Sequence, residues 1–245
     1  MIASLLLVSL LHTGVASRIE TFLAGSRAAL SRPDGVVWDE GEAGVVVLHG
    51  PWRGGGAVRG VDRYDIRDGE FRIHAGGEHA LWGWEAGASK GFEEVFLPTW
   101  SFWNSFHVPF AGRWDAGLSH KSSVYPDFLS VLPEAALGWT PGKPHFGVRA
   151  NLPVADGSIL DPGWQFLSEY SWSDDGSVRW TFSDASEAEP SASGGILETR
   201  VRSSSLALRQ RLGATTLRCG LSWTRQGSFH DRWGADLGIS HAFAL

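Results

Sequence analysis

Apolar and polar side chains alternate along the end of the chain, which reads RWGADLGISHAFAL from Arg232 to Leu245. The apolar set is Trp233, Ala235, Leu237, Ile239, Phe243 and Leu245, and only His241 interrupts it. The positions between them carry Gly234, Asp236, Gly238 and Ser240. A period of two over this length predicts a β-strand with one face in an apolar medium and the other toward something polar.

The same alternation recurs through most of the chain, and no segment after residue 17 keeps a helical period. The regular segments are 70–81, 82–90, 99–110, 112–122, 128–140, 145–154, 163–173, 178–183 and 214–226. Segments 18–30, 36–50 and 55–65 are predicted as strands with mixed faces. Segment 196–212 changes parity around Arg202, which predicts a bulge or a long extracellular extension.

The connections between these segments alternate in length. Short ones fall at Gly50-Pro51, 110–112, 141–144 and 212–213, and longer ones near 91–98, 124–127, 155–162 and 184–195. Short periplasmic turns and longer outer loops are typical of outer-membrane barrels. A chain that enters and leaves in the periplasm needs an even number of strands. We therefore predict an all-β, up-and-down antiparallel transmembrane β-barrel of about 14 strands, with 12 as the alternative, in the bacterial outer membrane.

A soluble β-sandwich that binds carbohydrate would also alternate, so the chemistry of the apolar face has to distinguish the two. That face repeats Trp and Phe and carries almost no charge, which suits lipid, because Arg or Lys at mid-bilayer costs about 2–4 kcal/mol. Tryptophan near the ends of many segments predicts two girdles at the membrane interfaces rather than one sugar-binding patch. The predicted interface residues are Trp100, Trp114, Trp139, Trp164, Trp180, Trp223 and Trp233.

The positions between the apolar ones are predicted to line the lumen. They are Arg113, Asp115, Glu134, Arg149, Glu169, Arg179, Arg209, Arg211, Arg218 and Asp236, and Arg72, Glu78 and Glu85 continue the set in the first half. A lumen with charges of both signs would cross-link opposing walls and narrow the path. Ion pairs of this kind hold structure as readily as they contact a substrate.

Composition excludes several other classes. The net charge of −6, without a basic run, argues against nucleic acid as a partner. The single Cys219 excludes a disulfide scaffold and a cysteine-based zinc cluster. The first residues, MIASLLLVSLLHTGVAS, contain a short apolar run and an A-x-A-like site, so residues 1–16 are predicted as a cleaved signal peptide and 17–245 as one barrel domain.

Several motifs resemble those of the YaiO-type outer-membrane β-barrel domain. They are Trp38-Asp39, the segment VFLPTW at 95–100, the segment GRWDAGLSH at 112–120, Val124-Tyr125 and the alternating final strand. The resemblance covers essentially Ser17 to Leu245. It implies a barrel of the cell envelope, and some such domains are linked to exopolysaccharide export.

Catalytic candidates are Ser119, His120 and Ser122 with Asp115, and the pair His230-Asp231. Neighbouring residues on a strand point to opposite faces, so Ser119 and His120 cannot pair directly. Neither a G-x-S-x-G elbow nor an H-E-x-x-H metal motif is present in the sequence. We therefore expect no enzyme activity, no metal and no cofactor.

The sequence predicts a pore or another envelope component, with surface polysaccharide as its associated cargo. The alternatives are a non-conducting structural or binding barrel and the soluble sandwich. The expected partners are outer-membrane lipid and the outer-membrane assembly machinery, which would read the last strand.

Overall fold

The structure is a computed structural model that describes residues 17–31, 36–92, 96–190, 196–227 and 230–244. The predicted signal peptide, residues 1–16, lies outside the described residues. The strands are β1 Ser17–Leu30, β2 Val37–His49, β3 Trp52–Arg63, β4 Ile66–Glu78, β5 Gly83–Phe92, β6 Trp100–Phe110, β7 Trp114–Val124, β8 Leu129–Trp139, β9 Pro144–Asn151, β10 Val154–Ala155, β11 Ser158–Ile159, β12 Gly163–Ser173, β13 Gly176–Pro190, β14 Ile196–Leu212, β15 Thr215–Gln226 and β16 His230–Ala244.

Hydrogen bonding between the first and last strands closes the sheet into a barrel. β1 pairs antiparallel with β16 from Arg18 opposite Ala244 to Leu30 opposite Arg232. All other barrel strands pair with their neighbours in chain order, and β9 pairs with β12. The two short strands β10 and β11 form a side hairpin on β8. The result is the predicted closed antiparallel barrel of 14 strands, which also excludes the sandwich of two open sheets.

Both chain ends of the barrel and most of the short turns lie at one rim, which we call the turn end. Its turns follow β2, β4, β6, β8, β12 and β14. The opposite rim, the loop end, carries most of the longer connections, as the sequence predicts. An exception is the tight hairpin between β3 and β4, where Tyr64 and Asp65 adopt positive φ of 55° and 61°. The positive φ of both residues and the loop length of two residues are as expected for a type I′ turn. The predicted long connection at 184–195 is wrong for residues 184–190, because they continue β13 and pair with β14.

The outside of the barrel is apolar. Alternate residues of every long strand point outward, and the most exposed include Leu118 at 66%, Leu221 at 64% and Leu237 at 70%. Among the described residues no large side chain is fully buried, so the molecule lacks an ordinary hydrophobic core. An apolar surface that surrounds a closed barrel is stable only in hydrocarbon. No helix in the described part of the chain is long and apolar enough to span a membrane.

The segment predicted to change parity, 196–212, is regular in the structure. β14 pairs with β13 in one unbroken register from Ile196 opposite Pro190 to Gln210 opposite Gly176. The extension predicted as one of the two alternatives is therefore present, and no bulge interrupts this pair. Arg200 and Arg202 remain on the outward face, where both contact Asp184. The apparent parity change arises because the outward side chains become charged toward the loop end.

The single cysteine offers a direct test of which face meets lipid. Cys219 is exposed and lies opposite Leu208 and Leu237 on the outward face. Bimane attached to Cys219 in proteoliposomes should be quenched by nitroxides on lipid acyl chains and be protected from aqueous iodide. The label is read by fluorescence.

A matched control is the variant Cys219→Ser with Ser222→Cys, because Ser222 faces the lumen on the same strand. Its label should respond to iodide instead. Quenching of the Cys219 label by iodide alone would contradict the assignment of the two faces.

Candidate functional site

Inward-facing charged side chains converge in the half of the barrel built by β2 to β4. Arg59 lies between two carboxylates, at 2.6 Å from Glu40 and 3.1 Å from Glu70. Arg72 contacts the same Glu70 and lies 3.5 Å from Glu42. Glu70 is almost completely buried. Because a buried carboxylate is stable only when it is paired, this network fixes the positions of its arginines.

A second group of charges lies on β7 to β9. Ser119 donates a hydrogen bond to Glu134 at 2.8 Å, and Arg149 lies 3.5 Å from the same carboxylate. Lys121 shares the inward face of β7 with Ser119. The two groups line one cavity of about 540 Å³ together with Trp103, whose ring packs over Gly87. A cavity lined from β3 to β9 must lie inside the barrel.

Ion pairs in this lumen run along the wall. Among the described inward residues, they join the same strand, neighbouring strands or strands two apart, as in Arg53–Glu85 at 2.6 Å and Arg179–Glu169 at 2.6 Å. The expectation that they would cross-link opposing walls is therefore wrong for these pairs. Carboxylates lie within reach of an arginine on adjacent strands, about 5 Å away, whereas the far wall is several strands distant.

A loop segment covers part of this cavity at the loop end. The N–H groups of Phe96 and Leu97 both donate to Asp68 Oδ2 at 2.8 Å. Asp68 and Leu97 are buried, and Pro98 also lines the cavity. The carboxylate on β4 thus holds the connection between β5 and β6 inward, over the charged half of the lumen.

On β13 to β16 and β1, the inward residues in the middle of the wall are mostly small, whereas Arg209, Arg211 and Arg218 lie toward the turn end and Arg232 lies toward the loop end. Inward hydroxyls pair across strands, as in Thr181 with Ser205 and Ser183 with Ser203. The remaining inward positions include Ala24, Ser26, Ala28, Ala207, Gly220, Gly234 and Gly238. The lumen is therefore asymmetric: the network of ion-paired side chains lies on β2 to β9, and the middle of the wall from β13 to β1 carries mostly short side chains.

An aromatic and cationic stack lies near the loop end of the small-residue wall. The guanidinium of Arg63 lies 4.4 Å from the Trp38 ring centroid, and that of Arg232 lies 4.5 Å from it. These three residues border a second cavity of about 230 Å³ that also contacts Asp236. Cation–π contacts of this kind hold both arginines in fixed positions.

The predicted lumen residues occupy the following positions. Nine of them share the inward parity of their strands: Asp115, Glu134, Arg149, Glu169, Arg179, Arg209, Arg211, Arg218 and Asp236. Arg113 does not, because it lies exposed in the turn before β7. Ala111 and Gly112 adopt positive φ of 48° and 71° in that turn, so the strand begins only at Trp114.

The predicted interface tryptophans all share the outward parity. Trp114 stacks on Trp139 at the turn end, with ring centroids 5.9 Å apart. Trp100 and Trp164 begin or nearly begin strands at the loop end, where Trp223 lies beside Trp233. Trp180 differs, since it lies within β13 and donates to Ser204 at 3.0 Å.

The sequence did not single out Glu40, Glu42, Arg59 or Glu70, whereas the alternation of segment 112–122 does predict Lys121 on its inward face. On β2 the two glutamates alternate with outward Gly41 and Ala43, so the apolar signal on the other face is weak. Charged residues two positions apart at 40 and 42 and again at 70 and 72, with Arg59 between these pairs, are the signal that could have indicated this inward face.

The catalytic candidates do not assemble into a triad. Ser119 faces the lumen, whereas His120 and Ser122 share the outward face with 3.1 Å between Nε2 and Oγ. In the described part of the chain no carboxylate is hydrogen-bonded to His120, so nothing there orients it as a base. The side chain of His230 lies outside the described residues, and Asp231 pairs with Arg225. No metal-binding group of three ligands occurs among the described residues.

Comparison with solved structures shows extensive likeness in shape. The CymD monoaromatic hydrocarbon channel aligns with a TM-score of 0.62 at 7% identity, over 94% of this chain and 89% of that one. The chain has the fold of a bacterial outer-membrane β-barrel. A bacterial polysaccharide outer membrane secretin aligns with a TM-score of 0.56 at 12% identity, over 92% of this chain and 98% of that one. The OmpTdeltaL8 protein of Vibrio cholerae aligns with a TM-score of 0.50 at 10% identity, covering 93% and 99% of the two chains.

No protein-family model matches the chain, and no curated protein matches it. The identities to solved barrels are too low to show more than the fold. Together with the apolar exterior, the closed barrel locates the protein in the bacterial outer membrane. The resemblance to the YaiO-type domain stays a prediction.

Replacing Asp68 tests how the loop is held. Asp68→Ala removes the acceptor of two backbone N–H groups, and each hydrogen bond to a charged group contributes about 1.5–3 kcal/mol. Hydrogen exchange of the Phe96 and Leu97 amides should accelerate by about tenfold or more, since 1.4 kcal/mol corresponds to a factor of ten.

The control is Asp62→Ala, which removes a carboxylate at the same rim whose ion pair, among the described residues, is with Arg67 on the outward face. Exchange at Phe96 and Leu97 should be unchanged in this variant. Equal protection in both variants would show that Asp68 does not hold the loop.

Proposed function

We propose that the protein is an aqueous pore whose path follows the small-residue wall from β13 to β1. The observation that carries this proposal is the asymmetry of the lumen, in which serine, glycine and alanine occupy most of the middle of one side, beyond the arginines at the turn end, while ion-paired side chains occupy the other side. Barrels of eight strands are filled by their own side chains, whereas those of 16–18 strands leave a channel. A barrel of 14 strands in which one part of the wall carries mostly short inward side chains supports an off-centre channel.

The pairing of the charges also supports passage rather than obstruction. Side chains that are held along the wall by neighbouring carboxylates, such as Arg59 and Arg149, leave the space in front of the opposite wall unobstructed. Polar hydroxyls on that wall, such as Ser203 and Ser205, stabilise water there by hydrogen bonding. A hydrated path beside a fixed ionic network follows from these two properties.

Planar-bilayer recording of the refolded protein tests the proposal, with stable ion conductance as the expected result. Gly238→Trp places an indole on the small-residue wall, where a Cβ would meet only Ala24 and the backbone of β1 at 3.5 Å or more. Because the ring would project into the proposed path, conductance should fall by at least about half, by analogy with the steric filling of smaller barrels.

The matched control is Gly25→Trp. Gly25 lies on the neighbouring strand β1 but faces outward, where its Cβ would have ordinary contact at 3.5 Å. Its conductance should equal that of the original protein. A silent barrel, or one in which both variants behave alike, would contradict a pore along this wall.

A non-conducting binding barrel is the second candidate, and the loop that Asp68 holds favours it. Phe96, Leu97 and Pro98 cover the charged cavity, and Tyr125 borders it from the next loop. If this cover closes the lumen, the original protein should be silent and Asp68→Ala should conduct. Conductance that is high and equal in the two proteins favours the open pore.

Surface polysaccharide is the cargo that we propose within this function. The inward ring of Trp103, together with the serine rows, supplies an apolar face and hydroxyls that contact sugar rings. The solved polysaccharide secretin is similar to this chain in shape alone. Oligosaccharides should reduce conductance reversibly, and Trp103→Ala should weaken this block. Oligosaccharides without effect on the current would argue for a different solute.

A further inference from the structure

Three arginines form a cluster inside the barrel near the turn end. Arg209 on β14 lies directly opposite Arg218 on β15, and both side chains face the lumen. Arg211 is the next inward residue of β14 and lies opposite Thr216. All three are exposed. We call Arg209, Arg211 and Arg218 the arginine cluster.

The arginine cluster differs from the ion-paired arginines of the lumen. Arg18, Arg53, Arg59, Arg72, Arg149 and Arg179 each have a carboxylate within 4.0 Å. Among the described residues, none of the three clustered arginines has one, and Arg211 instead donates to the carbonyl oxygen of Gly213 at 2.9 Å. Like charges directly opposite each other on adjacent strands are destabilising, so this arrangement has a cost to the free barrel.

The surroundings leave the guanidinium groups without a neutralising neighbour. The inward neighbours of the Arg209–Arg218 pair are Ser177 on β13 and Gly238 on β16, with Ala207 and Gly220 next along β14 and β15, and none of these four carries a charge. Of the acidic residues in this region, Glu169 pairs with Arg179, Asp236 packs over Gly220 one inward position farther from the turn end, and Asp175 in the turn before β13 accepts the backbone N–H of Arg211 through its backbone carbonyl oxygen. The cluster therefore presents several unshared N–H donors to the lumen.

We propose that the arginine cluster is a binding site for multiply charged oxyanions that reach the lumen from the turn end. The planar guanidinium fork donates two parallel hydrogen bonds to a phosphate or carboxylate group, which a halide cannot accept in the same way. Two opposed guanidiniums attract a polyanion more strongly than a monovalent ion, because the Coulomb energy scales with the product of charges. Its place at the turn end, which is periplasmic in outer-membrane barrels, puts it near the entrance for an anion that leaves the periplasm.

The site itself depends only on the inward parity of β14 and β15, whereas its role in transport rests on the proposed pore. Direct binding can therefore be measured separately from conduction. The probes are inorganic tripolyphosphate for phosphate chemistry and citrate for carboxylate chemistry, added to the refolded full-length protein in detergent and followed by isothermal titration calorimetry.

The expected result is saturable binding of at least one probe, and the stronger of the two identifies the group that the site prefers. Arg209→Gln with Arg218→Gln should weaken binding by about tenfold or more, since charge-assisted bidentate contacts are lost. Arg209→Lys with Arg218→Lys keeps the charge but removes the fork, and should bind with intermediate affinity. Heat-modifiable gel mobility verifies that each variant is folded.

The matched control is Arg200→Gln with Arg202→Gln. This control also removes two positive charges, both from β14, but the two side chains face outward and contact Asp184. Binding should remain unchanged in this variant. Equal weakening by the control and the cluster variant, or no binding of either probe to the original protein, would overturn the proposed site.

Single-channel recording distinguishes failure of the site from failure of the pore. Tripolyphosphate or citrate should block the current from one side of the bilayer only, and the Arg209→Gln, Arg218→Gln variant should lose the block. Binding in calorimetry without any conductance would refute the pore and leave the site intact. Conductance without binding or one-sided block would refute the site and leave the pore intact.

Discussion

The requirement that every backbone hydrogen bond be made within the protein controls this structure. Inside hydrocarbon no water is present to satisfy an unpaired N–H or C=O group, so a sheet must close on itself. The pairing of β1 with β16 over Arg18 to Leu30 satisfies that requirement. Once the sheet is closed, alternate side chains along each strand face lipid and lumen in turn. The two-residue period of the sequence therefore separates exterior residues from interior ones.

This constraint explains which parts of the structure the sequence could predict. Where the outward residues are large, as with Leu206, Leu221 and Leu237, the alternation is strong and the inward partners can be read directly. On β2 and β3 the outward residues Gly41, Ala43 and Gly56 are small, and the paired charges between them were missed. Glycine and alanine are compatible with lipid, but they give only a weak hydrophobic alternation along the sequence.

Two further features needed three-dimensional information. The loop at Phe96 and Leu97 is held by Asp68, which lies two strands earlier in chain order and offers no local pattern. Arg113 fits the alternation of β7 but lies outside the strand, because the turn takes up Ala111 and Gly112 at positive φ. In both cases the deciding contact joins residues whose relation is set by the register between strands, not by spacing along one segment.

The asymmetry of the lumen separates structural from chemical roles for charged residues. Arg59 and Arg72 share the buried carboxylate of Glu70, so removing any one of them would leave an uncompensated charge in a region of low dielectric. Arg209 and Arg218 lack such a partner among the described residues and are free to respond to a solute. Charge alone therefore does not reveal function in a barrel; the pairing of each charge does.

The unequal lengths of the strands determine which part of the barrel extends beyond the membrane. β13 and β14 are 15 and 17 residues long, whereas β9 has 8. At about 3.3 Å per residue and a tilt near 45°, roughly ten residues suffice to cross the hydrocarbon, so this hairpin rises well above the lipid headgroups. In the orientation that the short turns predict, with the turn end in the periplasm, this hairpin offers protein surface beyond the lipid to molecules outside the cell.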